Sequence, residues 1–350
     1  MSKCEVHIVF DNGKRRYQIG DTVSGTVNVE VNAPCRCDNL SIDQQWRTHG
    51  RGNRSSGETT SLTLFNGEWK TPGTYTYPFS FKAPPGPLTY HGHYINVDWY
   101  LDARADIPWA LDPKAREDYV LDRGEYEGDL LHGHPHSDAA LKQAVNGVAR
   151  NSTSANYIGY GCLFLFFFPF LFGGVWGVYD GIAQWKAQKS DWWESFLTGC
   201  VFLSLIFTVV AFALRKYLAE KKLGKVECSI KPTTVRGNDH IQCELRMTPR
   251  SDLQLNKVTL SLVGREQATS GSGTNQSVHK LDIHRFSETL AQGRAVTSGE
   301  YVSFHGDLMV PPNAAPSLIA IDNKIEWSVE VHIDIARWPD WKQTQLLLVQ

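Results

Sequence analysis

Two long stretches without a charged side chain dominate the middle of this chain. There is no Asp, Glu, Lys or Arg over residues 152–179, nor over 195–214. The first contains the run GCLFLFFFPFLF and the second VFLSLIFTVV. A helix needs about 20 apolar residues to cross the hydrocarbon core of a bilayer. Residues 158–179 and 196–214 each meet that length, so the sequence predicts a transmembrane helical hairpin over 158–214. The alternative is a pair of helices buried in a soluble core. The flanks favour the membrane. Tyr179, Trp185, Trp192 and Trp193, with Tyr157, Tyr160, Trp176 and Tyr217, lie near the ends of the runs, where amphipathic rings settle at a membrane–water interface. Pro169 is tolerated in a membrane helix as a kink. Gly173 and Gly177 make a G-x-x-x-G pair, a spacing that lets two helices approach closely.

Residues 180–195 between the runs are too few for a domain, so both large flanking regions must share one side. Arg215, Lys216, Lys221, Lys222 and Lys225 follow the second run and Lys142 and Arg150 precede the first, against Lys186 and Lys189 between them. The positive-inside rule then predicts a two-pass integral membrane protein with both termini cytoplasmic. The five cations after the second run also suit an anionic leaflet, at about 1 kcal/mol each. The opening residues Met1-Ser2-Lys3-Cys4 carry no apolar core of a secretory leader, so none is expected. The seven cysteines are odd in number and scattered, and Cys35-Arg36-Cys37 has the wrong spacing for a zinc knuckle. That usage fits a reducing compartment.

Outside the hairpin the chain is polar enough to bring the mean hydropathy to −0.31. A net charge of −2 gives no basic excess, so nucleic acid is not an expected partner. The polar parts alternate apolar and polar residues with period two, as in EVHIVF from Glu5 and TVSGTVNVEV from Thr22, and again over 95–105, 240–247 and 257–263. That is the pattern of antiparallel sheets with one buried face. Helical periodicity is nearly missing outside the hairpin. The two polar regions also repeat one another. Pro84-Pro85, Trp99 and Asp106-Ile107 recur as Pro311-Pro312, Trp327 and Asp334-Ile335, at an offset of 227 to 228 residues. Each half carries a Gly/Ser-rich stretch, 50–57 and 270–277, with the look of a flexible hairpin tip. The expected organisation is a β-sandwich over 1–124, a linker over 125–157, the hairpin over 158–214 (helices 158–179 and 196–214), and a second β-sandwich over 222–350.

The first half resembles the N-terminal lobe of the arrestin-like family (the arrestin/Vps26-type fold). The stretches that carry the likeness are Tyr17, Gly20, Asp21, Val23, Gly25 and Val27; Gly73, Pro78, Phe79, Phe81 and Pro84; and Gly92 followed by Val97, Trp99, Leu101 and Ala103. The second half resembles the other lobe of that family through Pro311-Pro312 to Pro316-Ser317 and Ile325 to Val331. The resemblance implies an all-β fold of two antiparallel sandwich lobes and a role in binding protein partners without catalysis. The membrane hairpin inserted between the lobes departs from the family, whose lobes are joined by a short linker.

No G-x-S-x-G, phosphate-binding loop or H-E-x-x-H set is present, and no cofactor is expected. The metal candidates are His132, His134 and His136, three imidazoles near Asp138; the plainer reading is a polar linker loop. Asp102 and Asp106, like Glu330 and Asp334, share a strand face and are expected to be solvated. Trp109, Trp338 and Trp341 are expected to pack on a core. The function expected is a membrane-anchored adaptor or scaffold, recruiting unidentified protein partners through sheet edges and the Gly/Ser tips. One alternative is an accessory subunit of a transport or channel complex that forms a homo-oligomer through its hairpin. A second is a membrane-bound metal hydrolase resting on the histidines.

Overall fold

Period-two alternation becomes strand pairing wherever it occurs. The computed structural model describes residues 3–146 and 153–350; the side chains at 135–136, 146, 153–167, 212–213, 215–218 and 220 are outside the described set. The first lobe comprises β1 (Cys4–Phe10), β2 (Arg16–Gln18), β3 (Thr22–Val31), β4 (Cys35–Gly50), β5 (Thr60–Trp69), β6 (Gly73–Lys82), β7 (Tyr90–His91), β8 (Ile95–Asp106) and β9 (Lys114–Asp122). Helices α1 (Pro135–Asn146), α2 (Thr153–Lys186) and α3 (Trp192–Leu223) follow. The second lobe comprises β10 (Val226–Lys231), β11 (Thr234–Val235), β12 (His240–Met247), β13 (Leu253–Ser270), β14 (Ser277–Val296), β15 (Val302–Met309), β16 (Leu318–Ile319), β17 (Asn323–Ile335) and β18 (Trp341–Val349).

The two lobes share one strand order. The first pairs β1-β3-β6 in one sheet and β2-β9-β8-β4-β5 in the other, with β7 added to β8. The second pairs β10-β12-β15 and β11-β18-β17-β13-β14, with β16 added to β17. Even the parallel pairs correspond, β2 with β9 and β11 with β18. The tryptophan repeat follows from this. β8 turns Ile95, Val97, Trp99, Leu101, Ala103 and Ala105 inward, and β17 does the same with Ile325, Trp327, Val329, Val331, Ile333 and Ile335. Each indole N–H is buried and must find an acceptor. Trp99 Nε1 donates to the Pro87 carbonyl at 2.8 Å, and Trp327 Nε1 donates to the Ala315 carbonyl at 2.8 Å, each twelve residues upstream. The Trp327 ring also lies flat on Gly264, where a Cβ would come within 2.8 Å of it.

The lobes pack against each other at the ends where the Gly/Ser stretches lie. The first stretch is therefore not a free tip, contrary to the sequence expectation, whereas the second meets the seam at its base through Gly271 and is exposed over 272–277. The Asn53 backbone N–H donates to the Thr269 carbonyl at 2.7 Å, its side chain donates to the Gly271 carbonyl at 2.9 Å, and its Oδ1 accepts the Gly271 N–H at 3.1 Å. Asn323, 1 % exposed, donates from Nδ2 to the Asn53 carbonyl at 2.7 Å and to Thr48 Oγ1 at 3.0 Å. At the centre of the seam Glu266 of β13 is fully buried and reaches the β7–β8 turn of the first lobe. Its carboxylate accepts hydrogen bonds from the Tyr90 hydroxyl (2.5 Å), the Tyr94 N–H (2.7 Å) and the His93 N–H (3.2 Å). A side chain at Gly92 would collide with the same carboxylate. Apolar contact continues the seam, because Ala268, Ala315, Leu318, Ala320 and Ile325 of the second lobe join the core of the first.

The linker is more ordered than its composition suggests. Residues 123–134 run along the seam, and the Ile319 N–H donates to the His132 carbonyl at 2.7 Å. Helix α1 then buries Leu141 and Val145 against Leu348 of β18. Trp109 departs from the expected core packing. It stands fully exposed with Leu111 on the β8–β9 turn, whereas Trp341 is buried and Trp338 half-buried. Pro108 and Pro113 stiffen that turn, and its ring has nothing to pack on at the end of the lobe.

Candidate functional site

The helices outlast the charge-free runs at both inner ends. α2 continues to Lys186 and α3 begins at Trp192, so a five-residue turn joins them. The polar extension stays helical partly because Gln184 Nε2 donates to Asp180 Oδ2 one turn earlier, at 2.6 Å. Close approach of the two helices rests on Gly174, Gly177 and Gly181 of α2 against Gly199 and Phe196 of α3. A Cβ on Gly199 would lie 2.5 Å from the Val178 nitrogen and 2.6 Å from the Gly174 carbonyl oxygen. Gly177 thus lies in the contact, while Gly173 faces open space with nothing within 4 Å. The contact-bearing partner of Gly177 is Gly174; its place on the inner face depends on helix rotation, which G-x-x-x-G spacing alone does not report.

Among the described residues one stretch, Trp192–Ala211, is long and apolar enough to cross a membrane, and 6 % of it is buried by the rest of the chain. The sequence expectation was two spans. The other, 158–179, is helical within α2, but its side chains up to residue 167 lie outside the described set. From 168 onward α2 exposes Phe168, Phe172, Val175, Trp176 and Tyr179. The proposed interfacial rings Tyr179, Trp185 and Trp193 are exposed, and Trp192 packs between Trp185 and Phe196. Two threonine hydroxyls in the apolar part of α3 are satisfied within the helix. Thr198 and Thr208 donate to the carbonyls of Glu194 and Ser204, each at 2.8 Å.

The hairpin is rooted in the second lobe at the end opposite the seam. Ala219 and Leu223 are buried in that lobe's core, and the Arg250 N–H donates to the Lys222 carbonyl at 2.9 Å. Gly224 turns the chain at φ +70°, against the Thr248 carbonyl, and β10 begins two residues on. Along β13 thirteen residues lead from Leu253 beside this root to Glu266 in the seam, roughly 43 Å at a strand's rise.

The cations predicted to meet a membrane surface are unequal. Lys221 is exposed, Lys222 places its ammonium 4.6 Å from the centre of the Trp338 ring, and Lys225 pairs with Glu227. The Arg215 and Lys216 side chains lie outside the described residues.

His132 and His134 do not converge. His132 is 1 % exposed, and its Nδ1–H donates to the Ser317 carbonyl at 2.7 Å. Burial holds its imidazole below the usual range, so it is neutral. His134 instead packs on Trp46 with ring centroids 5.8 Å apart, and the His136 side chain lies outside the described residues. Asp138 accepts the His132 backbone N–H at 2.9 Å, and burial raises its carboxyl. This cluster joins linker to seam, and the sequence missed that because the Ser317 carbonyl lies 185 residues away. Among the described residues, a metal-like convergence occurs elsewhere, at the exposed Glu5, His7 and Glu30 of β1 and β3.

Of the strand carboxylates, Asp102 and Glu330 are engaged in charge pairing and Asp106 is exposed. Asp102 bonds Arg47 at 2.6 Å and Arg116 at 2.5 Å, and Glu330 bonds Arg285 at 3.2 Å. Asp334 accepts from Asn256 at 2.9 Å. Both pairs lie on outer sheet faces.

No family model matches the sequence. Several hundred solved chains match part of it. One is Spo0M, a sporulation control protein from Bacillus subtilis, at 15 % identity and a TM-score of 0.30, covering 36 % of this chain and 49 % of that one. The match thus spans about half the length of Spo0M. At that score it adds nothing to the description of the fold, which rests on the strand order.

Proposed function

We propose that this chain is an arrestin-like adaptor, anchored in a membrane by its helical hairpin and holding protein partners at the cytoplasmic face. The observation that carries the proposal is the hairpin itself. It projects apolar side chains away from the lobes, with Phe207 and Phe172 exposed by 75 % and 65 %. Exposing that much apolar surface to water is unfavourable at about 25 cal/mol per Å², and a bilayer removes the cost. The nine-strand order, repeated in both lobes, and the motif likeness support the arrestin-like part. The root of the hairpin supports an upright arrangement in which the second lobe sits nearest the bilayer and the first is carried outward. With the first Gly/Ser stretch held in the seam, partner contact passes to the free edges β5 and β14, the exposed 272–277 tip and the outer end of the first lobe, because unpaired edges accept added strands.

Alkaline carbonate washing of membranes tests the anchor. The intact chain should remain in the pellet, and a chain with 158–214 replaced by a short polar linker should be released. Release of the intact chain would refute membrane anchoring. Protease added to sealed vesicles should spare both lobes when the cytoplasmic face is inside.

A second reading, an accessory subunit that oligomerises through the hairpin, has Gly173 in its favour, since its open face leaves room for a neighbouring helix. Native mass in detergent separates the two readings, a single copy for the first and a multiple for the second.

A further inference from the structure

The thiols of the second lobe point to a chemistry outside any adaptor role. Cys228 lies on β10 and Cys243 on β12. Their register neighbours are Leu245 and Ile230, so the two cysteines occupy one diagonal on the core-facing side of the strand pair. The sulfurs are 3.8 Å apart. Cys243 is buried, while Cys228 sits at the margin of the core, partly open to solvent. Diagonal neighbours on paired strands lie about 7–8 Å apart and a disulfide needs sulfurs at about 2.05 Å with Cα atoms within about 7 Å, so closure takes side-chain rotation together with a shift of β10 toward β12.

We propose that Cys228 and Cys243 are a hydroperoxide-oxidisable pair that closes a disulfide between β10 and β12, stapling the strand that leaves the hairpin to the body of the second lobe. β10 is the edge of a three-stranded sheet, with two residues between it and the end of α3. It therefore carries the chain from the hairpin into the lobe, beside the Ala219 and Leu223 root, and a covalent link there resists fraying of that edge.

The two sulfurs have different roles. The Cys243 S–H hydrogen bond lowers the Cys228 thiol, whereas the same bond and burial raise Cys243. Thiolate is the reacting form. The Cys228 sulfur attacks one oxygen of the hydroperoxide, an S–O bond forms, and the O–O bond breaks. The leaving oxygen takes the Cys228 proton, which gives sulfenic acid and water when the oxidant is hydrogen peroxide. The Cys243 sulfur then attacks the Cys228 sulfur, an S–S bond forms, and the S–O bond breaks. Hydroxide leaves with the Cys243 proton as a second water. Two thiols lose two electrons in total, and one peroxide gains them.

The first lobe supplies an internal control. Cys4, Cys35 and Cys37 also lie near one another, but all three are buried. Burial pushes the Cys4 thiol up to about 12 and the Cys37 thiol up to about 11. They should stay reduced under the same treatment.

The test uses the full chain in detergent micelles, exposed to hydrogen peroxide, blocked with N-ethylmaleimide in denaturant, and mapped by mass spectrometry. The expected product is a peptide pair joined through Cys228 and Cys243, two hydrogens lighter than the reduced pair, with Cys4, Cys35 and Cys37 alkylated. Without peroxide, native-state alkylation of Cys228 should run at least about tenfold faster than that of Cys4. In Cys243→Ser, dimedone should label Cys228 after peroxide, and in Cys228→Ser it should not label Cys243. Recovery of Cys228 and Cys243 as free thiols, or prior closure of a disulfide among the first-lobe cysteines, overturns the proposal. The unaltered chain carries the first two measurements, so a variant that fails to fold does not remove the test.

Discussion

Replacing Glu266 by Ala should loosen the joint between the lobes, by an amount the geometry bounds. The carboxylate is fully buried and satisfies three donors of the other lobe, at 2.5, 2.7 and 3.2 Å. An orphaned buried donor costs about 1–3 kcal/mol, so losing all three acceptor contacts costs roughly 3–9 kcal/mol. The substitution also lifts the penalty for burying a carboxylate, and water entering the vacated space restores part of the bonding. A net loss of about 2–4 kcal/mol remains, large beside the roughly 5–15 kcal/mol that holds an ordinary domain together. At about 2–4 °C per kcal/mol for a chain of this size, Tm should fall by roughly 4–16 °C. Glu266→Gln keeps one carbonyl oxygen for Tyr90 and His93 but turns an amide N–H toward the Tyr94 N–H, so it should fall between wild type and Ala. Differential scanning fluorimetry in detergent gives the order, and hydrogen exchange at amides 93 and 94 locates the change. The Tyr90 phenol, pushed up first by burial and then by its bond to Glu266, should titrate lower in the Ala variant. An Ala variant whose Tm lies within about 2 °C of wild type, with those two amides equally protected, would refute this account of the seam.

Gly199→Val should part the two hairpin helices by roughly 1 Å, because its Cβ would meet α2 backbone at 2.5 Å; Gly173→Val, in open space, should not. Proteolytic cutting near residues 187–191 in detergent reads the difference. Since burial holds His132 below its usual range, unfolding exposes a group that gains a proton below about pH 6.5. Stability should therefore be complete above that pH and be lost as pH falls toward the lower folded value. His132→Gln should flatten the Tm profile below about pH 6.5. Trp109→Ala should leave Tm unchanged, whereas Trp341→Ala, at 5 % exposure, should cost about 3–5 kcal/mol in denaturant unfolding. Trp99→Phe and Trp327→Phe should each cost about 1 kcal/mol beyond any packing loss, because each leaves a buried carbonyl without its donor.

The sheets were legible because their signal is local. Strand alternation needs only the neighbouring residue to decide which face is wet, and β8 and β17 follow it nearly throughout. The internal repeat was legible because equivalent strands need equivalent side chains: Trp99 and Trp327 occupy the same place in the same strand order. The fate of the Gly/Ser stretches was not legible. Their composition is that of an exposed loop whether they end in solvent or meet another loop, and Asn53 finds its Gly271 partner across 218 residues.

By its own pattern of charge and hydropathy, the sequence determined that the chain would contain strands with one buried face, two related halves and a long apolar interruption between them. Each of these follows from short-range periodicity or from the transfer cost of side chains, which depend little on what the rest of the chain does. Only the tertiary structure decided that the lobes lock together through a buried glutamate, that His132 serves the joint and parts from His134, and that Gly174 lies at the helix contact while Gly173 faces away. It also decided that Cys228 and Cys243 come within 3.8 Å. Those outcomes depend on which distant groups meet, and directional bonds and steric contacts take effect only once the chain has brought them together.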